Sequence, residues 1–265
     1  MDLDEMVLKE IENGYGDKNA EAKVCQDIVL KAISKGPLKR NVTIKGGVVM
    51  RSITGNVRRA TRDLDLDFIK YPLTDSAIDD FIRKLNVIEG ISIKRAGEIE
   101  ELKQQDYHGK RVYVDISDEN GHTISSKIDL GVHNRLEIEQ ETFCFDIAFD
   151  DEGASLLINT QEQMLAEKLR SLLRFGAIST RYKDIYDMYY HCDHVDRAKL
   201  MECLNIYIFN DEKMRENSVA DILKRVTRTF KDPVFKNSTD KSDRRWVDED
   251  IDFIMNHILE FLKSL

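Results

Sequence analysis

The chain has no apolar run approaching the roughly 18 residues that a membrane-spanning helix needs, so a membrane-embedded protein is not expected. It has only three prolines in 265 residues, which argues against long disordered linkers. Its four cysteines (Cys25, Cys144, Cys192, Cys203) are scattered without Cys-x-x-Cys spacing. That pattern fits free thiols in a reducing, cytoplasmic compartment rather than a disulfide framework or a zinc ribbon. Positive charge is in deficit: 40 Lys and Arg face 49 Asp and Glu, a net charge of −9. A generic nucleic-acid binder is thereby excluded, and any RNA contact must come from a local basic patch. Met1–Lys9 is acidic and lacks an apolar core, so no secretory signal is expected. Internal repeats and low-complexity tracts are also missing. What is present is a hydrophobic fraction of 42%, enough for the core of one large or two small domains.

Three compositional regimes follow one another. Residues 1–40 read as a helical segment ended by Gly36-Pro37. Residues 41–155 are β-rich, with a short strand over 41–50 running into a Gly-Gly turn and an acidic strand over 63–70. An amphipathic helix follows, capped by Thr74 or Ser76, with Ile78, Phe81, Ile82 and Leu85 on one face. Further strands are expected over 91–94, 111–117 and from 124 onward, the last two joined by a hairpin at Glu119-Asn120-Gly121. From 156 to 265 the period is helical, opening on a capping box at Thr160-Gln161-Glu162-Gln163. The fold class is α+β: a mixed-sheet core followed by a helical domain.

The chemistry concentrates in Arg59-Ala60-Thr61-Arg62-Asp63-Leu64-Asp65-Leu66-Asp67-Phe68. On a strand Asp63, Asp65 and Asp67 share one face, and three like charges there repel. A hard cation such as Mg²⁺ relieves that repulsion. Asp129 falls on the polar face of its own strand and is a candidate third carboxylate. Lys45-Gly46-Gly47, upstream, lets backbone N–H groups approach phosphate, and a helix starting there adds a favourable dipole. Alone, the aspartates also read as an aggregation-blocking edge strand, and the Gly-Gly as an ordinary turn.

Farther on, Lys168 falls in an apolar helix sector, where it either snorkels to the surface or neutralises phosphate. Asp184 and Asp187 share a helix face with Arg181, as solvated ion pairs or as a pocket in which Asp184 orients Lys168 or the nucleotide. His191, Cys192 and His194 have no second ligand pair at zinc spacing and read as a helix end. Residues 224–245 carry eight Lys and Arg against three Asp, with Phe230, Phe235 and Trp246 interleaved, a composition compatible with RNA contact.

Lys45-Gly46-Gly47, Arg59-x-Thr61-x-Asp63-Leu64-Asp65, Ala166-Glu167-Lys168-Leu169 and Arg181-Tyr182-Lys183-Asp184-Ile185-Tyr186-Asp187 together resemble the AbiEii/AbiGii-type nucleotidyltransferase toxins. These are DNA polymerase β-like enzymes of toxin–antitoxin and abortive-infection systems. The resemblance implies a polymerase β-like core, a C-terminal helical domain and Mg²⁺-dependent transfer (with Mn²⁺ as a substitute) from an NTP to RNA, the 3′ end of tRNA in characterised relatives. It also implies a cognate antitoxin protein. Asp63 and Asp65 match the metal pair, and Thr61 a hydroxyl position near the nucleotide. Gly46 and Gly47 match the triphosphate cradle, with Lys45 or Lys168 neutralising it. Lys168 matches the basic residue, and Asp184 or Asp187 the acidic one, with Arg181 beside them. Competing readings keep the fold but place the acceptor hydroxyl on a small molecule or protein, or make the chain a non-catalytic binding module.

Overall fold

The computed structural model describes residues 1–102, 109–135 and 137–265. The chain divides into two compact units, Met1–Asn159 and Thr160–Leu265. The class is mixed α and β, with one seven-stranded sheet and ten α-helices among the described residues.

In the first unit, α1 (Leu3–Glu12) and α2 (Asp17–Lys35) precede the sheet. Its strands are β1 (Val42–Lys45), β2 (Asp63–Phe68), β3 (Ile91–Leu102), β4 (Gly109–Asp118), β5 (Thr123–Val132), β6 (Glu141–Ile147) and β7 (Asp150–Ile158). They lie in the order β3-β4-β5-β2-β1-β7-β6. β2 pairs parallel with β5 and antiparallel with β1, which in turn pairs parallel with β7. The acidic strand is therefore interior, which excludes the edge-strand reading. Register and pleat put Val42, Ile44, Leu64, Leu66, Phe68, Ile128 and Leu130 on one buried apolar face. Thr43, Lys45, Asp63, Asp65, Asp67, Lys127 and Asp129 share the opposite face.

Two expected elements differ in extent. The strand expected over 41–50 ends at Lys45, because Gly46 takes φ +69° and turns the chain into helix α3 (Gly46–Thr54). Only glycine adopts that left-handed backbone without a Cβ penalty. Val48, Val49 and Met50 are therefore buried from a helix rather than a strand. The brief strand expected at 91–94 extends to Leu102, because antiparallel pairing with β4 supports a segment too polar to look like a strand. Helix α4 (Asp75–Lys84) is capped by Thr74, whose Oγ1 accepts from Ala77 N.

The second unit is helical: α5 (Gln161–Phe175), α6 (Lys183–Cys192), α7 (Arg197–Leu204), α8 (Val219–Phe230), α9 (Pro233–Thr239) and α10 (Ile251–Lys263). Thr160 Oγ1 accepts from Gln163 N at 3.1 Å and starts α5, while Pro233 occupies the first turn of α9. Tyr186, Ile222, Val226, Phe235, Ile254 and Ile258 are buried in its core. Among the described residues no helix is long and apolar enough to cross a membrane.

Candidate active site

The polar face of the first unit is built around β2. Gly46 sits directly against Asp65: a Cβ added to Gly46 would lie 2.5 Å from Asp65 Oδ2. A Cβ on Gly47 would lie 2.8 Å from Thr61 Cβ and 2.9 Å from its Oγ1. The two glycines thus bring the N-terminus of α3 against the aspartate strand, in a space that no side chain could share. The side chain of the N-cap residue, Lys45, makes no cap hydrogen bond, and the start of α3, the kind of helix end that favours anions, lies beside Asp65. Gly46→Ala should combine roughly 1–2 kcal/mol of left-handed strain with a clash against the Asp65 carboxylate. We expect it to lower the melting midpoint and remove catalytic activity together, whereas Gly55→Ala, at φ +61° with nothing near its Cβ, lowers the midpoint alone.

Repulsion among the aspartates is relieved mostly by the protein itself. Lys45 Nζ lies 2.6 Å from Asp67 Oδ1 in a largely buried pair, and Lys127 Nζ lies 2.9 Å from Asp63 Oδ1. Arg111 grips Asp129 through both oxygens, at 2.7 and 2.8 Å. That fork raises the guanidinium pKa above its ordinary range. Asp63, Asp67 and Asp129 are thus each paired with a cation on this sheet face. The site does not assemble as three converging carboxylates, because Asp63, Asp67 and Asp129 each turn toward a different cation. Among the described residues, the group of ligand atoms drawn within 4.8 Å of one another is instead Asp2, Asp118 and His122. There Asp118 accepts from Leu3 N, Asn120 N and His122 N, stapling α1 to the β4–β5 turn.

The pairing at Lys45 ties up a lysine that sequence reasoning assigned to phosphate. It also gives Asp67 a defined place, as that lysine's partner. An oxygen-only donor set beside a helix N-terminus fits a hard divalent cation. Asp63 and Asp65 are the residues that would hold it.

In the second unit Lys168 is buried and bridges Asp184 Oδ1 at 2.8 Å and Asp187 Oδ2 at 2.7 Å. One ammonium thus holds both aspartates. Asp187 is fully buried and also accepts from Trp246 Nε1 at 3.1 Å. Trp246 is a member of this cluster that the sequence did not reveal, because it lies 59 residues from Asp187 with no local spacing signal. Trp246→Phe keeps the apolar bulk and removes the donor, which costs about 1–3 kcal/mol when it leaves a buried carboxylate oxygen under-bonded. The melting midpoint of the variant checks this. Arg181 is exposed, and its backbone N–H is turned back to Ser179 Oγ at 3.3 Å. His191 is buried beside Gln161, and His194 stacks on Tyr190, as expected for a helix end.

The basic segment splits into structural and exposed residues. Arg225 donates to Leu173 O, Lys236 pairs with Asp252, Arg244 lies over the Tyr182 ring at 4.0 Å, and Arg245 bonds Asp240, Asp248 and Glu249. Lys224, Arg228 and Lys231 are exposed at i, i+4 and i+7 along α8 and its C-cap, forming one stripe.

A family model described as nucleotidyl transferase AbiEii toxin, type IV toxin–antitoxin system, matches residues 28–263. The chain belongs to that family and is a nucleotidyltransferase of the toxin–antitoxin class. Among solved structures it is similar to an antigenic nucleotidyltransferase-like protein from Paracoccidioides brasiliensis. The two share 14% identity over 83% of this chain and 92% of that one, with a TM-score of 0.46. No curated protein matches the chain.

Proposed function

We propose that this nucleotidyltransferase uses Mg²⁺ to transfer nucleotides from an NTP to the 3′-hydroxyl of an RNA, with tRNA as acceptor, and that a cognate antitoxin restrains it. The observation that carries the site is the contact of Gly46 with Asp65. It sets a helix N-terminus, a feature suited to phosphate, beside a carboxylate suited to a hard cation. A divalent ion held by Asp63 and Asp65 would supply charge neutralisation at the phosphates and acidify the attacking hydroxyl. The chain's own part is to bind and orient. The first N–H groups of α3 receive triphosphate oxygens, and Thr61, packed on Gly47, shapes the nucleotide's surroundings. Lys45, held by Asp67, keeps positive charge at the end of β1. Asp129 would take the hydroxyl proton, for which Arg111 must release one arm of its fork. In the helical unit Lys168, held by Asp184 and Asp187, is the basic residue we propose for the reaction. Arg181 is the exposed cation nearest them in sequence.

Incubating the protein with each labelled NTP, total tRNA and Mg²⁺ or Mn²⁺ tests the reading. Label should enter RNA at its 3′ end, and its absence with all four NTPs under both metals contradicts it. The exposed α8 stripe favours RNA over a small-molecule or protein acceptor. Replacing Lys224, Arg228 and Lys231 with Glu should weaken RNA binding and reduce the salt slope by about 1 per residue. If transfer to RNA and its salt dependence survive that triple change, the stripe is not the RNA contact.

A further inference from the structure

Helix α2 is buried along most of its length, yet it carries Gln26, Asp27 and Lys31 among its apolar residues. Polar groups persist in such surroundings when they are bonded, so each one reports what it holds. Gln26 Nε2 donates to the Thr61 carbonyl at 3.0 Å and to the Asp63 carbonyl at 3.4 Å. Its Oε1 accepts from Arg51 Nη1. Thr61 and Asp63 are the residues by which the chain enters β2, and Arg51 belongs to α3, the helix that begins at Gly46. One buried amide therefore joins the helix behind the glycine turn to the backbone of the carboxylate strand. Arg51 is steadied in turn by Asp27, 3.9 Å away, whose other oxygen pairs with Lys23 and accepts from Ala148 N at 3.1 Å. Burial lowers the Arg51 pKa, which Asp27 opposes, and raises that of Asp27, which Lys23 and then Arg51 oppose.

We propose that Gln26 is a positioning residue of the nucleotide site, setting the spacing between the Gly46–Gly47 turn and the Asp63 and Asp65 carboxylates. The inference rests on the reading above, that those carboxylates hold a divalent cation. Gln26 touches neither cation nor nucleotide and acts through two carbonyls and one guanidinium. It also lies outside the family-matched stretch, two residues before its start. An amide suits this place because it donates and accepts at once. Methionine matches its length but does neither. Glutamate keeps the bond from Arg51 but sets an anionic oxygen against two carbonyl oxygens.

The test is Mn²⁺ binding to the full chain, followed by electron paramagnetic resonance, in wild type, Gln26→Met, Gln26→Glu and Lys31→Met. Lys31 is the matched control: it is buried on the same helix, but its Nζ bonds Gly153 O at 2.8 Å and Asp150 at 2.6 Å, on the β6–β7 hairpin. Melts show which variants are folded at the titration temperature, and Gln26→Glu serves if Gln26→Met is not. Loss of a group that supports metal ligands typically weakens binding by about 10–100-fold, and the Gln26 variants should show a Kd raised at least about tenfold. Lys31→Met should lose stability and keep the wild-type Kd. A Gln26 variant that binds Mn²⁺ as wild type does overturns the inference, as does an equal loss in Lys31→Met. If wild type binds no Mn²⁺, the functional reading itself fails, and this inference fails with it.

Discussion

Asp65→Asn should lower nucleotide transfer by on the order of 10³-fold. A divalent cation supplies several kcal/mol of charge stabilisation in the transition state, and each ~1.4 kcal/mol is about tenfold in rate. Removing one of its carboxylates forfeits much of that. Asp67→Asn is the contrasting experiment. Its carboxylate holds Lys45 in a largely buried pair, and breaking such a pair by removing one partner costs about 3–5 kcal/mol when the other charge stays buried. Asp67→Asn should therefore melt early, with activity falling as a consequence. Parallel melts and initial rates for the two variants separate a carboxylate that acts from one that holds a lysine. Equal rates for Asp65→Asn and wild type contradict the assignment of Asp65.

Lys168→Met should be the most destabilising single change in the helical unit. It removes the cation that bridges Asp184 and the fully buried Asp187. The expected loss is again about 3–5 kcal/mol, or a midpoint lowered by roughly 10 °C for a protein of this size. Lys168→Arg should recover most of that stability, because a guanidinium can serve two carboxylates. If Lys168→Arg is stable at the assay temperature yet inactive, the lysine contributes to the reaction itself. If it is stable and fully active, Lys168 is a structural charge. A Lys168→Met variant that melts with wild type excludes the buried-pair account.

The fold was legible where a single period governs a segment. The amphipathic α4, the acidic β2 and the hairpin between β4 and β5 all follow from alternation or helical spacing plus a cap or turn. β3 was seen only in its first residues, because Glu98, Glu100 and Glu101 carry no apolar alternation and are held as strand by β4. The glycine turn was read correctly as a turn, but α3 begins at Gly46 itself. That required knowing that residue 46 takes positive φ.

Site chemistry was legible as residue types and opaque as partnerships. The repulsion among Asp63, Asp65 and Asp67 was foreseen, whereas its relief by Lys45, Lys127 and Arg111 depends on strand register that no local pattern encodes. The same holds for Gln26 and Trp246. Each reaches its partners across 25 residues or more, and neither stands in a motif.

The most direct measurement is incorporation of labelled nucleotide into tRNA by wild type and Asp65→Asn, with Mg²⁺ and after its removal by chelation. We expect label at the tRNA 3′ end only for wild type with Mg²⁺, at a level the variant misses by on the order of 10³-fold. Label that enters RNA equally with Asp65→Asn, or equally after chelation, contradicts a metal-dependent nucleotidyltransferase centred on the Gly46–Asp65 contact.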